Sequence, residues 1–206
     1  MAELLAALAI IGILAAAASP VFVQTMRDNR VGSAANQIAE MYRHARSRAL
    51  GRGTCVMVRF DHDHALPSNT DPAGKFTMRE AVAGGTNAAC APRPSSNCVG
   101  TDWSSSSTDS RFVAAFDHAA PQFSPAAVAV YSLDYDTTAG SFSENAQDDL
   151  DIVFSPRGRA FIRHPTSGGY QTLLGAFRIE VNNPNTTFVR QVVIPPNGSA
   201  RVVGRM

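Results

Sequence analysis

From Leu4 to Val23 nearly every position is apolar and none is charged; Glu3 stands just before the run and Pro20 near its end. A run of about 20 apolar residues makes a helix long enough to cross a bilayer. The apolar character then narrows to a stripe. Val31, Ala34, Ala35, Ile38, Ala39, Met41, Tyr42 and Ala45 recur at three-to-four spacing, while Arg27, Asp28, Arg30, Gln37, Glu40, Arg43 and Arg46 take the other faces. That is the pattern of a helix leaning on a core along one side. No breaker separates the two stretches, so together they predict one helix of about 50 residues, near 75 Å long. Pro20 is expected to kink or locally melt it, because proline lacks the amide hydrogen and crowds the preceding turn. Gly51 and Gly53 are expected to end it.

Past Gly53 the period changes from helical to alternating. Thr54 to Phe60, Lys75 to Val82, Arg111 to Phe116, Val128 to Leu133, Leu150 to Phe154, Arg159 to Arg163, Leu173 to Val181, Thr187 to Ile194 and Ser199 to Val203 are short and rich in Val, Ile, Phe and Thr. Gly, Pro, Asn and Asp fill the intervals, which predicts strands. Ser155-Pro156-Arg157-Gly158 and Pro195-Pro196-Asn197-Gly198 read as hairpin turns. So many short strands after one long helix predict an α+β chain, its amphipathic half-helix packed on an antiparallel, sandwich-like β domain. Between Ala83 and Ser110 the periodicity lapses into a Gly, Ser, Pro and Asn-rich surface excursion. Trp103 inside it is read as a packing anchor rather than a contact residue.

The opening run has competing explanations. A cleaved signal peptide would carry a basic front, a shorter apolar core and a polar mature start, whereas here the flanking charge is acidic and the helical pattern continues. A plain single-span anchor leaves Glu3 without a reason, since a carboxylate at a membrane helix end is costly unless paired or at the interface.

The wording of the run supplies a reason. Glu3-Leu4-Leu5, then Leu8-Ala9-Ile10-Ile11-Gly12-Ile13-Leu14-Ala15, then Pro20, resembles the N-terminal helix of type IV pilins and type II secretion pseudopilins, over about the first 25 residues. The resemblance implies residues 1–25 as a transmembrane and assembly half-helix, 26–52 as the amphipathic half-helix and 53–206 as a globular pilin head. It implies a bacterial inner-membrane subunit with a periplasmic head, later drawn into an extracytoplasmic filament. Leu4, Leu5, Leu8, Ile10, Ile11, Ile13 and Leu14 would then pack in the filament core, and Glu3 would neutralise the N-terminal amine of a neighbour. The implied partners are other pilin or pseudopilin subunits, the ATPase-driven inner-membrane assembly platform, and the membrane before assembly. Family precursors carry a short basic leader ending in Gly, cut and then methylated, and two more residues ahead of the glutamate, so Met1 is not expected to be the natural terminus.

A finer resemblance lies toward the C-terminus. Phe154 to Ala160 (FSPRGRA), Val192 to Val202 (VVIPPNGSARV) and the helix end Arg43-x-x-Arg46-Ser47-x-Ala49-Leu50 are similar to the GspH/FimT-type minor pilin and pseudopilin domain. Some relatives bind DNA through Gly-Arg-x-Arg, in support of DNA uptake. The matching segment here is Gly198-Ser199-Ala200-Arg201, with the first arginine missing and Arg190 and Arg205 nearby. Phosphate contact needs several cations together, so DNA binding through Arg190, Arg201 and Arg205 is the alternative reading and is not favoured. A major filament subunit is a third.

Composition narrows the chemistry. The 206 residues are 45% hydrophobic and 17% charged, with 18 basic against 17 acidic side chains; that balance gives no global pull toward nucleic acid or anionic lipid. The residues after the helix suffice for one domain with its own core. Cys90 and Cys98 flank a short Pro, Ser and Asn-rich loop and are the expected disulfide, with Cys55 a buried thiol or an alternative partner. Asp61-His62-Asp63-His64 reads as a solvated turn rather than a metal site. Asp148, Asp149 and Asp151 lack the calcium-loop frame, and His44 and His118 stand alone. No nucleophile elbow is present, so the chain is read as non-enzymatic, with no cofactor and no metal.

Overall fold

The computed structural model describes residues 2–61, 75–83, 93–117, 131–135, 142–146, 149–163, 169–182 and 188–204. One helix, α1, runs from Ala2 to Arg52, 51 residues without interruption. Pro20 lies inside it, and the expected local melting does not occur: proline forfeits a single backbone bond, and the turns on either side keep theirs. The helix stops at Gly53, whose φ of 66° is left-handed. There the Thr54 amide reaches back to the Ala49 carbonyl at 3.3 Å, the six-to-one bond of a Schellman cap.

The strands are β1 (Val56–Asp61), β2 (Lys75–Ala83), β3 (Arg93–Pro94), β4 (Ser110–Asp117), β5 (Tyr131–Tyr135), β6 (Phe142–Ala146), β7 (Asp149–Phe154), β8 (Ala160–Arg163), β9 (Gln171–Thr172), β10 (Phe177–Asn182), β11 (Val189–Ile194) and β12 (Arg201–Gly204). They form a seven-stranded sheet in the order β3-β2-β1-β7-β8-β9, with β4 also on β2, a three-stranded sheet β10-β11-β12, and the pair β5-β6. Every pairing is antiparallel. The expected strand from Leu173 to Val181 begins only at Phe177, as β10; residues 173–176 form the passage from β9 to β10, where the chain leaves the large sheet for the small one.

The amphipathic half of α1 packs against both sheets. Its predicted stripe, Val31 through Ala45, is buried, and Ala49 extends it. Across from it lie Val56, Val58 and Phe60 of β1, Phe76 and Met78 of β2, Ile152 and Phe154 of β7, and Ile179, Val192 and Ile194 of the small sheet. Five of the buried helix positions are alanines (Ala34, Ala35, Ala39, Ala45, Ala49), which lets the strands approach the helix closely. Tyr42 fills the centre, edge-on to Phe76 at 6.1 Å and to Phe154 at 6.4 Å.

The other face of the large sheet carries a smaller core of Cys55, Met57, Ala81, Cys98, Trp103 and Val153. Residues 95–109 fold back over this face. Ser95 bonds to the backbone of Cys55 and Ala81, Trp103 is buried at 2% exposure, and Cys98 is joined to Cys55 with their Cα atoms 5.2 Å apart. This corrects the expected Cys90–Cys98 bridge. Cys55 is the residue just before β1, on the sheet face that the returning segment covers, so the bond ties loop to sheet instead of closing a small loop on itself. Cys90 lies outside the described residues, as do His62 to His64, His118, Asp148 and Arg205.

Candidate assembly interface

Among the described residues, the first half of α1 is exposed along its length. Leu4, Leu8, Ile10, Ile11, Ile13 and Leu14 are 59–70% exposed, and Val21, Phe22, Val23 and Met26 are open as well. Spaced at about 100° per residue, these side chains point to every side of the cylinder, so no single docking face could cover them. Burying each would gain about 1.5–3 kcal/mol; together they outweigh the 5–15 kcal/mol or so that holds an ordinary domain folded. The helix is long and apolar enough to cross a membrane, with a mean hydropathy of 2.3 over its most apolar window, none of it buried. Gly12 has no neighbour within 4 Å of where a Cβ would stand. Glu3 and Leu5 lie on the helix, but their side chains fall outside the described ones.

The second half of α1 is fastened to the head by arginines. Arg43 Nε donates to the Ala200 carbonyl at 2.7 Å. Arg46 donates to the carbonyls of Gly198 and Asn197 at 3.0 and 2.8 Å, so the predicted β11-β12 turn is held against the helix. One turn further on, Arg48 and Arg52 reach Glu80 of β2 at 2.7 and 3.3 Å, and Arg111 of β4 joins at 3.0 Å. The Glu80 side chain is 1% exposed. Burial alone would push its carboxyl up, but hydrogen bonds from Arg48 and Arg111 outweigh that and hold it below the usual carboxylate range.

A similar arrangement sits on the opposite sheet face. Asp151 of β7 receives both nitrogens of a fork from Arg59 at 2.7 and 2.9 Å and Arg163 at 2.6 Å, with Tyr170 at 3.4 Å. Arg163 also covers the Tyr170 ring at 4.8 Å, and burial pushes the Tyr170 hydroxyl up. These oxygens, considered above as calcium ligands, are occupied by guanidinium groups. Neither cluster was singled out from the sequence. For Glu80 a signal was present: it shares the inward parity of Phe76 and Met78, and a lone acid on an apolar strand face calls for a cation.

Of the candidate DNA contacts, Arg190 and Arg201 are described, and they fall on opposite faces of the small sheet. Arg190 pairs with Gly204 and has the parity of the buried Val192 and Ile194; Arg201 pairs with Val193, one residue out of phase. Side chains alternate faces along a strand, so Arg190 points to the helix side, over the Phe188 ring at 4.5 Å, and Arg201 to the other. Arg190 lines a groove of about 470 Å³ beside Asp28 and Glu40 of α1.

The arrangement is a head fastened by arginines to one half of a helix whose other half is long and apolar enough to cross a membrane. No protein-family model, curated protein or solved structure matches the chain.

Proposed function

We propose that this chain is a structural subunit, a minor pilin or pseudopilin, of a type IV pilus or type II secretion pseudopilus. It is held in the inner membrane with its head in the periplasm until an assembly platform draws it into the filament. The observation that carries this reading is the apolar half-helix, exposed on every side among the described residues, continuous with a half that arginines fasten to the head. The order of residues from Glu3 to Pro20 supports it further, because a simple anchor needs apolarity and not a particular sequence.

Transfer from bilayer to filament is a near-even exchange for such a helix. Lipid tails are as apolar as leucine, so the apolar effect does not choose between them, and packing and polar pairing decide. Gly12 and Ala16, one turn apart, allow close approach of a like helix, and Glu3 supplies the pairing group.

The test is incorporation. Epitope-tagged chain, expressed in its host, is followed from membranes into sheared surface or periplasmic filaments. The reading expects co-purification with other subunits and a clear loss with Glu3→Ala. A chain that stays wholly in the membrane fraction while filaments form without it contradicts the reading.

A further inference from the structure

At the end of the molecule away from the apolar half-helix, the large sheet finishes in a row of paired residues. Arg111 of β4 stands beside Glu80 of β2, Glu80 beside Val56 of β1, Val56 beside Phe154 of β7, and Phe154 beside Ala160 of β8. Four strand spacings make this rim about 19 Å long. Arginines fringe it throughout: Arg111, Arg48 and Arg52 gather at one end on Glu80, and Arg157 and Arg159 stand on the β7-β8 hairpin at the other. Arg46 lies beneath that hairpin, against Gly158. Three of these six arginines, Arg48, Arg52 and Arg111, pair with Glu80, which is buried. The whole chain carries a formal charge of only +1, so six arginines along one rim are a local concentration of positive charge.

Arg157 and Arg159 are the free members of the set. Both are exposed, and among the described residues neither makes an ion pair. They line one pocket of about 430 Å³ together with Ser96, Asn97, Val99 and Phe161, between the hairpin and the disulfide-tied returning segment. Val99 is 55% exposed and Leu50, under the hairpin, 50%. Like charges lining one pocket repel each other unless an anion meets them. Guanidinium forks match carboxylates in pairs, and arginine beside exposed apolar groups is the composition of protein interfaces.

We propose that this rim docks an acidic segment of a partner protein, with carboxylates on Arg157 and Arg159 and an adjoining apolar side chain against Val99. The pocket volume lies in the range that admits small ligands or a few side chains, and its apolar rim has no counterpart along a phosphate backbone. A duplex would have to lie across the rim without entering the pocket. The proposal does not depend on the filament reading; within that reading, the rim faces away from the bilayer.

The experiment uses the full chain in a non-ionic detergent and a fluorescein-labelled octapeptide of alternating Glu and Leu, followed by anisotropy at low salt. The expected result is saturable binding that weakens with salt and is absent for the same peptide with Gln in place of Glu. The paired variant Arg157→Glu/Arg159→Glu should bind at least about tenfold more weakly, with an unchanged circular-dichroism spectrum, while Arg190→Glu binds as the parent does. Arg157→Gln/Arg159→Gln, which leaves the fold least disturbed, should lose affinity in the same direction. Absence of peptide binding, parent-like binding by both paired variants, or tighter binding of duplex DNA of matched charge than of the peptide would overturn the proposal.

Discussion

Arg48 lies side-on to the carboxylate of Glu80, with Nε at 2.9 Å and Nη2 at 2.7 Å from the same oxygen. One residue belongs to the last turns of the helix and the other to β2, so this contact adds a charged joint to the apolar packing of helix on head. Glu80→Gln keeps the shape and removes the charge, leaving three guanidinium groups crowded around a neutral amide. The substitution should destabilise the protein by about 2–4 kcal/mol, read from denaturant melts followed by circular dichroism. Loss of the more exposed Arg111 to Ala should cost less, about 1 kcal/mol.

The same carboxylate gives the joint a pH dependence. Its folded value is held below the ordinary one of 4.5, so the stability it contributes is fully present above about pH 4.5 and is lost as the pH falls through the folded value. The difference in melting temperature between parent and Glu80→Gln should therefore narrow as the pH drops below that point. A difference that stays constant into acid would show that the pairing is not the source.

The disulfide makes a separate prediction. Cys55 and Cys98 are 43 residues apart, and closing a loop of that length restrains the unfolded chain by up to about 4 kcal/mol. Replacing both with Ser should cost about 2–4 kcal/mol. It should also raise the hydrogen exchange of residues 95–109 above that of β1 and β7. Replacing Cys90 alone should leave the melting temperature unchanged.

Asp151 should behave like Glu80, on the other face. Asp151→Asn leaves Arg59 and Arg163 facing an amide, and the expected cost is about 1–3 kcal/mol, the lower end reflecting guanidiniums that are each about a third exposed. Arg163→Ala should in addition free the Tyr170 ring, visible as a change in tyrosine near-ultraviolet circular dichroism.

The parts of this fold that were legible in the sequence are those written in period. The stripe from Val31 to Ala45 is the buried stripe, and the runs beginning at Thr54, Lys75, Leu150 and Thr187 are strands within two residues of their observed limits. Gly158 in the Ser155-Pro156-Arg157-Gly158 turn takes a φ of 79° and bonds back to the Ser155 carbonyl at 2.9 Å, the geometry that a Pro and Gly turn predicts. What could not be read is what depends on distant pairing. Cys98 finds Cys55 because residues 95–109 return across the sheet, and no local pattern announces that return. Arg190 and Arg201 look adjacent in a hairpin, yet register places them on opposite faces, since a shift of one residue exchanges every side. The guanidinium clusters on Glu80 and Asp151 each join three elements of chain, which composition alone cannot assemble.

The most direct measurement is made on the exposed apolar half of the rod. A photo-crosslinking residue at Ile11, which is 62% exposed, is activated in cells that assemble the filament, and the products are compared between membrane and filament fractions. The account predicts lipid adducts in membranes and, in the filament fraction, adducts to the helices of other subunits that weaken with Glu3→Ala. Lipid adducts alone in every fraction, with the chain monomeric throughout, would contradict it.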